Sequence, residues 1–174
     1  MIRWLTLLPL AAVVALAVLF GVYGLHHNPH VEPHALVGKP MPDQTLPSLD
    51  DGRPVRLRDL VKDGPVVVNF FASWCGPCEV EAPTLMALKA RKVRIVGIAY
   101  EDAPQNTQAF LHRLGDPFEV RLVDRKGLAG VDFGVTGVPE TYLVGPDGVI
   151  RRKWTGPLDA AATDALVAAA LTSR

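Results

Sequence analysis

Two residues of this chain, Cys75 and Cys78, have the type and spacing for electron-pair chemistry. They are its only cysteines, and they lie three positions apart in Trp74-Cys-Gly-Pro-Cys78. A thiolate attacks a disulfide sulfur, and a second thiol one helical turn away can attack the resulting mixed disulfide. The first thiol must ionise readily. A helix N-terminus favours this, because its unpaired N–H groups and positive dipole end stabilise an anion. Cys75 is therefore expected to open a helix with a pKa below the roughly 8.5 of a free cysteine. Cys78, inside that helix, is expected to carry the less exposed sulfur. Cys75 is the nucleophile and Cys78 the resolving thiol. Gly76 keeps the approach open, Pro77 presets φ where no N–H is needed, and Trp74 covers one flank. Other readings of the pair stay open. A zinc site would need two further ligands, from the histidines of residues 26–34 or from His112. An inert disulfide would join residues already held by one helix, and two plain core cysteines would need no special context. No metal is expected, and no cofactor beyond the redox-active Cys75–Cys78 disulfide.

The elements that must position the pair follow from pattern. Val66 to Phe71 is a continuous apolar run after the breaker Gly64-Pro65, which suits a central strand buried on both faces. Glu79 to Ala90 reads as a helix, with Pro83 inside it. Val93 to Ala99 reads as a second central strand, Pro104 to Leu114 as a helix, and Phe118 to Val123 as a strand. Leu128 to Phe133 is a short helix or turn. Thr141 to Val144 and Val149 to Trp154 form a hairpin around Gly145-Pro-Asp-Gly148. Leu158 to Leu171 is an Ala-rich closing helix. Upstream, Leu46 to Leu57 reads as a hairpin turning at Asp50-Asp-Gly52. Alternating β and α units demand parallel pairing with right-handed crossovers, and the late hairpin adds antiparallel strands. The expected class is α/β, a mixed central sheet with helices on both faces.

The chain has 174 residues, with 18 basic and 18 acidic side chains and zero net charge. That balance and the lack of a basic run exclude nucleic acid as an expected partner. Trp4 to Leu25 contains no charged residue, and about 20 apolar residues span a bilayer core. Residues 1–25 are expected to be a transmembrane anchor. Arg3 precedes the run and no Lys or Arg follows until Lys39, so the positive-inside rule puts the N-terminus in the cytoplasm and the remainder outside. A cleaved signal peptide at Ala15-Leu-Ala17 is the competing reading, and it exports the same domain. Residues 26–37, with two prolines and four histidines, read as an extended linker. Residues 38–174 are the expected soluble domain.

Trp74-Cys-Gly-Pro-Cys78 is the pentapeptide of thioredoxin, and residues 38 to 172 resemble the thioredoxin superfamily. Gly134-Val-Thr-Gly-Val-Pro-Glu-Thr-Tyr142 resembles the G-V-x-G-x-P-E-T-[FY] segment of the cytochrome c biogenesis thiol:disulfide interchange proteins, the CcmG/DsbE family. Exported reductases of the TlpA and ResA type share much of it. The resemblance implies a thioredoxin-like fold with an N-terminal β-hairpin extension and a central βα insertion near residues 104 to 123. It implies a cis bond at Val138–Pro139 facing the cysteines, with the Val138 backbone pairing to an extended substrate. The substrate groove would comprise Trp74, Gly76, Pro77, Val138, Pro139 and Glu140, with Glu140 adding negative potential. Asn69 holds the place of thioredoxin's buried aspartate and cannot accept a proton. Glu81, on the helical face of Cys78, is then the candidate proton acceptor. If buried, its pKa is raised, and its charge opposes thiolate formation nearby.

The resemblance implies a bacterial inner-membrane, single-pass, periplasmic thiol:disulfide oxidoreductase working mainly as a reductant, and a monomer. Its targets would be the disulfide of an apocytochrome c haem-binding C-x-x-C-H site or a dedicated dithiol partner. Its reductant would be a membrane electron donor of the DsbD/CcdA type. Gly76-Pro77 speaks for a broader TlpA-type reductase instead. A copper-binding assembly protein on this fold would use a distal histidine, where this chain has Val138-Pro139. A redox-dependent docking module without turnover is a further class.

Overall fold

A computed structural model of the chain describes residue 9, residues 12–19 and residues 36–172, with side chains to residue 170. Residues 12–19 are helical. The expected anchor falls largely outside the described residues, as does the expected linker except for Leu36 and Val37. Among the described residues, no helix is long and apolar enough to cross a membrane.

From Leu36 onward, the order is β1 (Thr45–Pro47), β2 (Pro54–Arg56), α1 (Leu57–Leu60), β3 (Val66–Phe71), α2 (Gly76–Ala90), β4 (Ile95–Tyr100), α3 (Pro104–Leu114), β5 (Val120–Asp124), α4 (Leu128–Phe133), β6 (Glu140–Val144), β7 (Ile150–Thr155) and α5 (Ala160–Thr172). The main sheet runs β5-β4-β3-β6-β7. β3, β4 and β5 are parallel, and β6 and β7 join antiparallel. This is the expected mixed sheet. β1 and β2 form the expected hairpin, turning through Ser48 to Arg53. It leans on the sheet edge at β5, where Leu49 N–H donates to Arg121 O at 2.8 Å.

Expected boundaries shift slightly. Leu57 begins α1 rather than ending the return strand, and α2 begins at Gly76, so Cys78 lies within its first turn. β5 begins at Val120.

β3 is buried at every position, and strand side chains alternate between faces. Val67 and Phe71 join Leu85, Leu88, Phe110, Phe118 and Leu166 on the face that also takes both cysteines. Val66, Val68 and Phe70 join Leu57, Ile98, Phe133 and Tyr142 on the other. Each fully buried side chain of this size contributes about 1.5–3 kcal/mol, so the strand feeding the cysteine loop is firmly anchored in the sheet. Its partner β4 carries Gly97, where a Cβ would lie 2.6 Å from the Phe118 ring. The missing side chain lets Phe118 stack on Phe71 at 4.7 Å between centroids.

Candidate active site

β3 ends at Phe71, and four residues later Cys75 occupies the N-cap of α2 with extended backbone (φ −94°, ψ 105°). Cys75 and Cys78 form a disulfide, with Cα atoms 5.3 Å apart. The Cys78 N–H points at Cys75 Sγ at 3.1 Å. A Cys75 thiolate would accept that N–H at the positive end of the helix. The expected contrast in exposure does not hold in the oxidised pair. Cys75 is 4% exposed and Cys78 3%. What separates them is their neighbours. Cys75 Sγ faces Val138 O at 3.3 Å, whereas Cys78 faces a small cleft that it shares with Glu81, Phe71 and Phe110.

The flanking residues stand at the surface. Trp74 is 60% exposed, its Nε1–H 3.4 Å from Glu101 O. Gly76 and Pro77 are exposed, and a Cβ on Gly76 would meet nothing within 4 Å. Glu79 is exposed and paired with Arg113, which holds its carboxyl below the usual range.

The Val138–Pro139 bond is cis. Pro139 is buried, Val138 half-buried, and Val138 N–H makes no hydrogen bond within the described residues. An unpaired backbone donor beside a reactive sulfur is a place for an incoming strand to bind. The residue set against Cys75 is thus Val138, whose side chain offers no metal ligand.

Glu81 is 1% exposed. Its Oε1 accepts from Leu158 N–H at 3.0 Å, and its Oε2 from Asn69 Nδ2 at 3.1 Å. No cation touches it among the described residues. Burial pushes its pKa up, and the two hydrogen bonds only partly offset that. Asn69 also donates to Thr141 Oγ1 at 3.0 Å, and its Oδ1 is buried without a partner among the described residues. Each Glu81 oxygen therefore has one donor and keeps a second lone pair free. A carboxylate with a raised pKa beside the resolving thiol can receive a proton.

Glu140 does not line a groove. It is wholly buried and ion-paired with Lys153 at 2.9 Å. Its charge is compensated within the protein, so it adds no bare negative potential beside Pro139.

Sequence reasoning missed Lys153, and it also missed Asp102. Asp102 is 2% exposed and accepts from Ser73 N–H (2.8 Å), Ser73 Oγ–H (2.9 Å), Ala103 N–H (2.8 Å) and Thr107 Oγ1–H (2.9 Å). It ties the start of the cysteine loop to the start of α3. Its place just before a helix that begins with proline was the available signal.

The AhpC/TSA family model matches residues 37–153. The thiol:disulfide interchange protein DsbE of Allochromatium vinosum is 41% identical over 155 residues, 88% of this chain and 85% of that one. The thiol:disulfide interchange protein HelX of Rhodobacter capsulatus is 40% identical over 140 residues, 79% of each chain. The crystal structure of a secreted Mycobacterium tuberculosis disulfide oxidoreductase homologous to Escherichia coli DsbE superposes with a TM-score of 0.63 at 26% identity, over 75% of this chain and 96% of that one. With a dithiol capping a helix, a cis-proline loop against it and this kinship over most of its length, the chain belongs to the AhpC/TSA family of thioredoxin-like proteins and, within it, to the DsbE-type thiol:disulfide interchange oxidoreductases.

Proposed function

We propose that this oxidoreductase works as a membrane-anchored periplasmic reductant that keeps the haem-binding cysteines of apocytochrome c, or of a dithiol partner that handles them, in the thiol form. The observation that carries the reading is Val138 O at 3.3 Å from Cys75 Sγ, next to a Val138 N–H that is unpaired among the described residues. An extended polypeptide paired there would bring its disulfide to Cys75.

The reduced Cys75 thiolate attacks one substrate sulfur. The substrate S–S bond breaks, a Cys75–substrate disulfide forms, and one substrate thiolate leaves. Cys78 then gives its proton to Glu81 and attacks Cys75 Sγ. The Cys75–Cys78 bond forms, and the second substrate thiolate leaves. Two electrons have passed to the substrate. A membrane dithiol donor of the DsbD/CcdA type returns them, and Glu81 passes its proton back to the Cys78 thiolate that this releases. The uncharged stretch from Trp4 to Leu25 supports the anchor, and confinement to a membrane raises encounter with membrane-bound partners. An oxidising compartment closes C-x-x-C-H thiols that haem attachment needs open.

A TlpA-type reductase with broader substrates is the second reading, favoured by the exposed, thioredoxin-like Gly76-Pro77. Cys78→Ser separates the two. The variant cannot resolve, so the Cys75 mixed disulfide accumulates and can be isolated. Recovery of apocytochrome c or one dithiol partner supports the first reading. A varied set of exported proteins supports the second.

A further inference from the structure

Glu140 sits next to the cis-proline with no role in electron transfer, yet it is among the most heavily bonded carboxylates here. Oε1 accepts from Thr136 N–H at 3.1 Å and Thr136 Oγ1–H at 2.7 Å. Oε2 faces Tyr142 Oη at 2.8 Å and Lys153 Nζ at 2.9 Å. Lys153 Nζ also donates to Gly134 O at 2.9 Å, and Tyr142 Oη lies 3.0 Å from Phe133 O. The loop from the end of α4 to the start of β6 is thus tied at Phe133, Gly134, Thr136 and Glu140. Every tie leads to one buried ion pair.

A pair like this is a poor stability device. Desolvating two charges can exceed their attraction, and well-packed apolar replacements are often neutral or stabilising. Its bonds are better explained by geometry. Lys153 and Tyr142 face each other across β6 and β7, and Tyr142 belongs to the core on the face away from the cysteines. Val138 packs against both cores. The loop is therefore fastened on the far face of the sheet and presents Val138 on the near one, at Cys75. Neither Glu140 nor Lys153 touches a sulfur.

We propose that Glu140 and Lys153 form a buried positioning pair that holds the Val138–Pro139 backbone in register for an extended polypeptide disulfide. The pair therefore governs reaction with peptides and not with small disulfides. This rests on the reading of Val138 as the substrate-pairing backbone.

The test uses the full chain, reduced, with two probes: a synthetic peptide closed by a C-x-x-C-H disulfide, and hydroxyethyl disulfide, which is too small to use the loop. Lys153→Met is expected to lower kcat/KM on the peptide about tenfold through KM, with the small disulfide changed by less than about twofold. Lys153→Arg, which keeps the charge and can reach both Glu140 and Gly134 O, is expected to restore most of the loss. Thr136→Val removes one hydroxyl at an exposed position. It is expected to move the peptide value the same way by about threefold, and it serves if Lys153→Met does not fold. Equal losses on both probes, or no loss in any variant while the parent protein reduces the peptide, would overturn the positioning pair and leave the reductase reading intact. A parent protein that reduces hydroxyethyl disulfide but never the peptide would overturn both.

Discussion

Two carboxylates flank the dithiol, and they are buried to the same degree: Glu81 at 1% exposure and Glu140 at 0%. One sits on the helix behind Cys78, the other at the start of β6, just after the loop in front of Cys75. Their surroundings differ in the number of donors and, above all, in a cation. Glu140 has Lys153 and four donors around its two oxygens. Glu81 has two neutral donors and, among the described residues, no counter-charge. Burial alone therefore does not set the role of a carboxylate. A compensated one has no lone pair to spare and is suited to hold structure. An uncompensated one is held less firmly in its charged form and is suited to carry a proton.

Removing the cation attacks the comparison most directly. Lys153→Met leaves Glu140 buried with a charge and no counter-charge, which costs about 3–5 kcal/mol. The expected outcome is a large drop in the urea midpoint of the oxidised protein, with the slope unchanged. A drop below about 1 kcal/mol would mean that Glu140 is held no more tightly than an ordinary hydrogen-bonded group, and the contrast with Glu81 would fail.

Neutralising the other carboxylate should act on rate instead. General acid–base groups typically contribute about 10²–10⁴-fold, so Glu81→Gln is expected to slow resolution of the mixed disulfide about 100-fold at neutral pH, with the limb set by Glu81 gone from the pH profile. An unchanged profile removes the proton acceptor. Stability should move the opposite way from that of Lys153→Met. The folded-state pKa of Glu81 is raised above 4.5, so the folded protein holds this proton more tightly than the unfolded chain does. The parent protein then loses stability as pH rises from about 4.5 through the raised value, where the buried charge forms. Glu81→Gln lacks that loss. Its advantage in midpoint should be absent below pH 4.5 and grow above it. The introduced glutamine can keep the Leu158 N–H, and its amide N–H can meet Asn69 Oδ1 once that amide turns.

Much of this site was readable along the chain, and the unread parts share a cause. The apolar run Val66 to Phe71, the C-x-x-C pair and Pro77 announce a strand, a turn and a helix through local chemistry. Glu81 was legible because it lies one turn from Cys78 on the same helix. The Val138–Pro139 loop was legible only by resemblance. Lys153 gave no signal, since a lysine on an edge-side strand normally points to water; only tertiary contact turns it inward to Glu140. Glu81's own neighbours were equally hidden. Leu158 N–H is 77 residues away and Thr141, the other partner of Asn69, is 72 from it. The near-equal burial of Cys75 and Cys78 depends on the packing around the loop, which composition does not encode.

The finest test concerns Asn69, the neutral group that stands where a cation stands for Glu140. Its Nδ2 donates to Glu81 and so favours the carboxylate. Asn69→Ala removes this donor and should raise the Glu81 pKa further, moving the limb of the resolution profile to higher pH. The stability change should be small, about 1 kcal/mol. Two hydrogen bonds are lost, but the unpartnered Oδ1 goes too, and the Thr141 hydroxyl can turn to another acceptor. Repeating Asn69→Ala in the Glu81→Gln background isolates the coupling. The limb shift should vanish there, because the carboxylate that Asn69 tunes no longer titrates. A shift that persists would assign the titration to Cys78 or Cys75 themselves, and Glu81 would then differ from Glu140 in burial partners but not in chemistry.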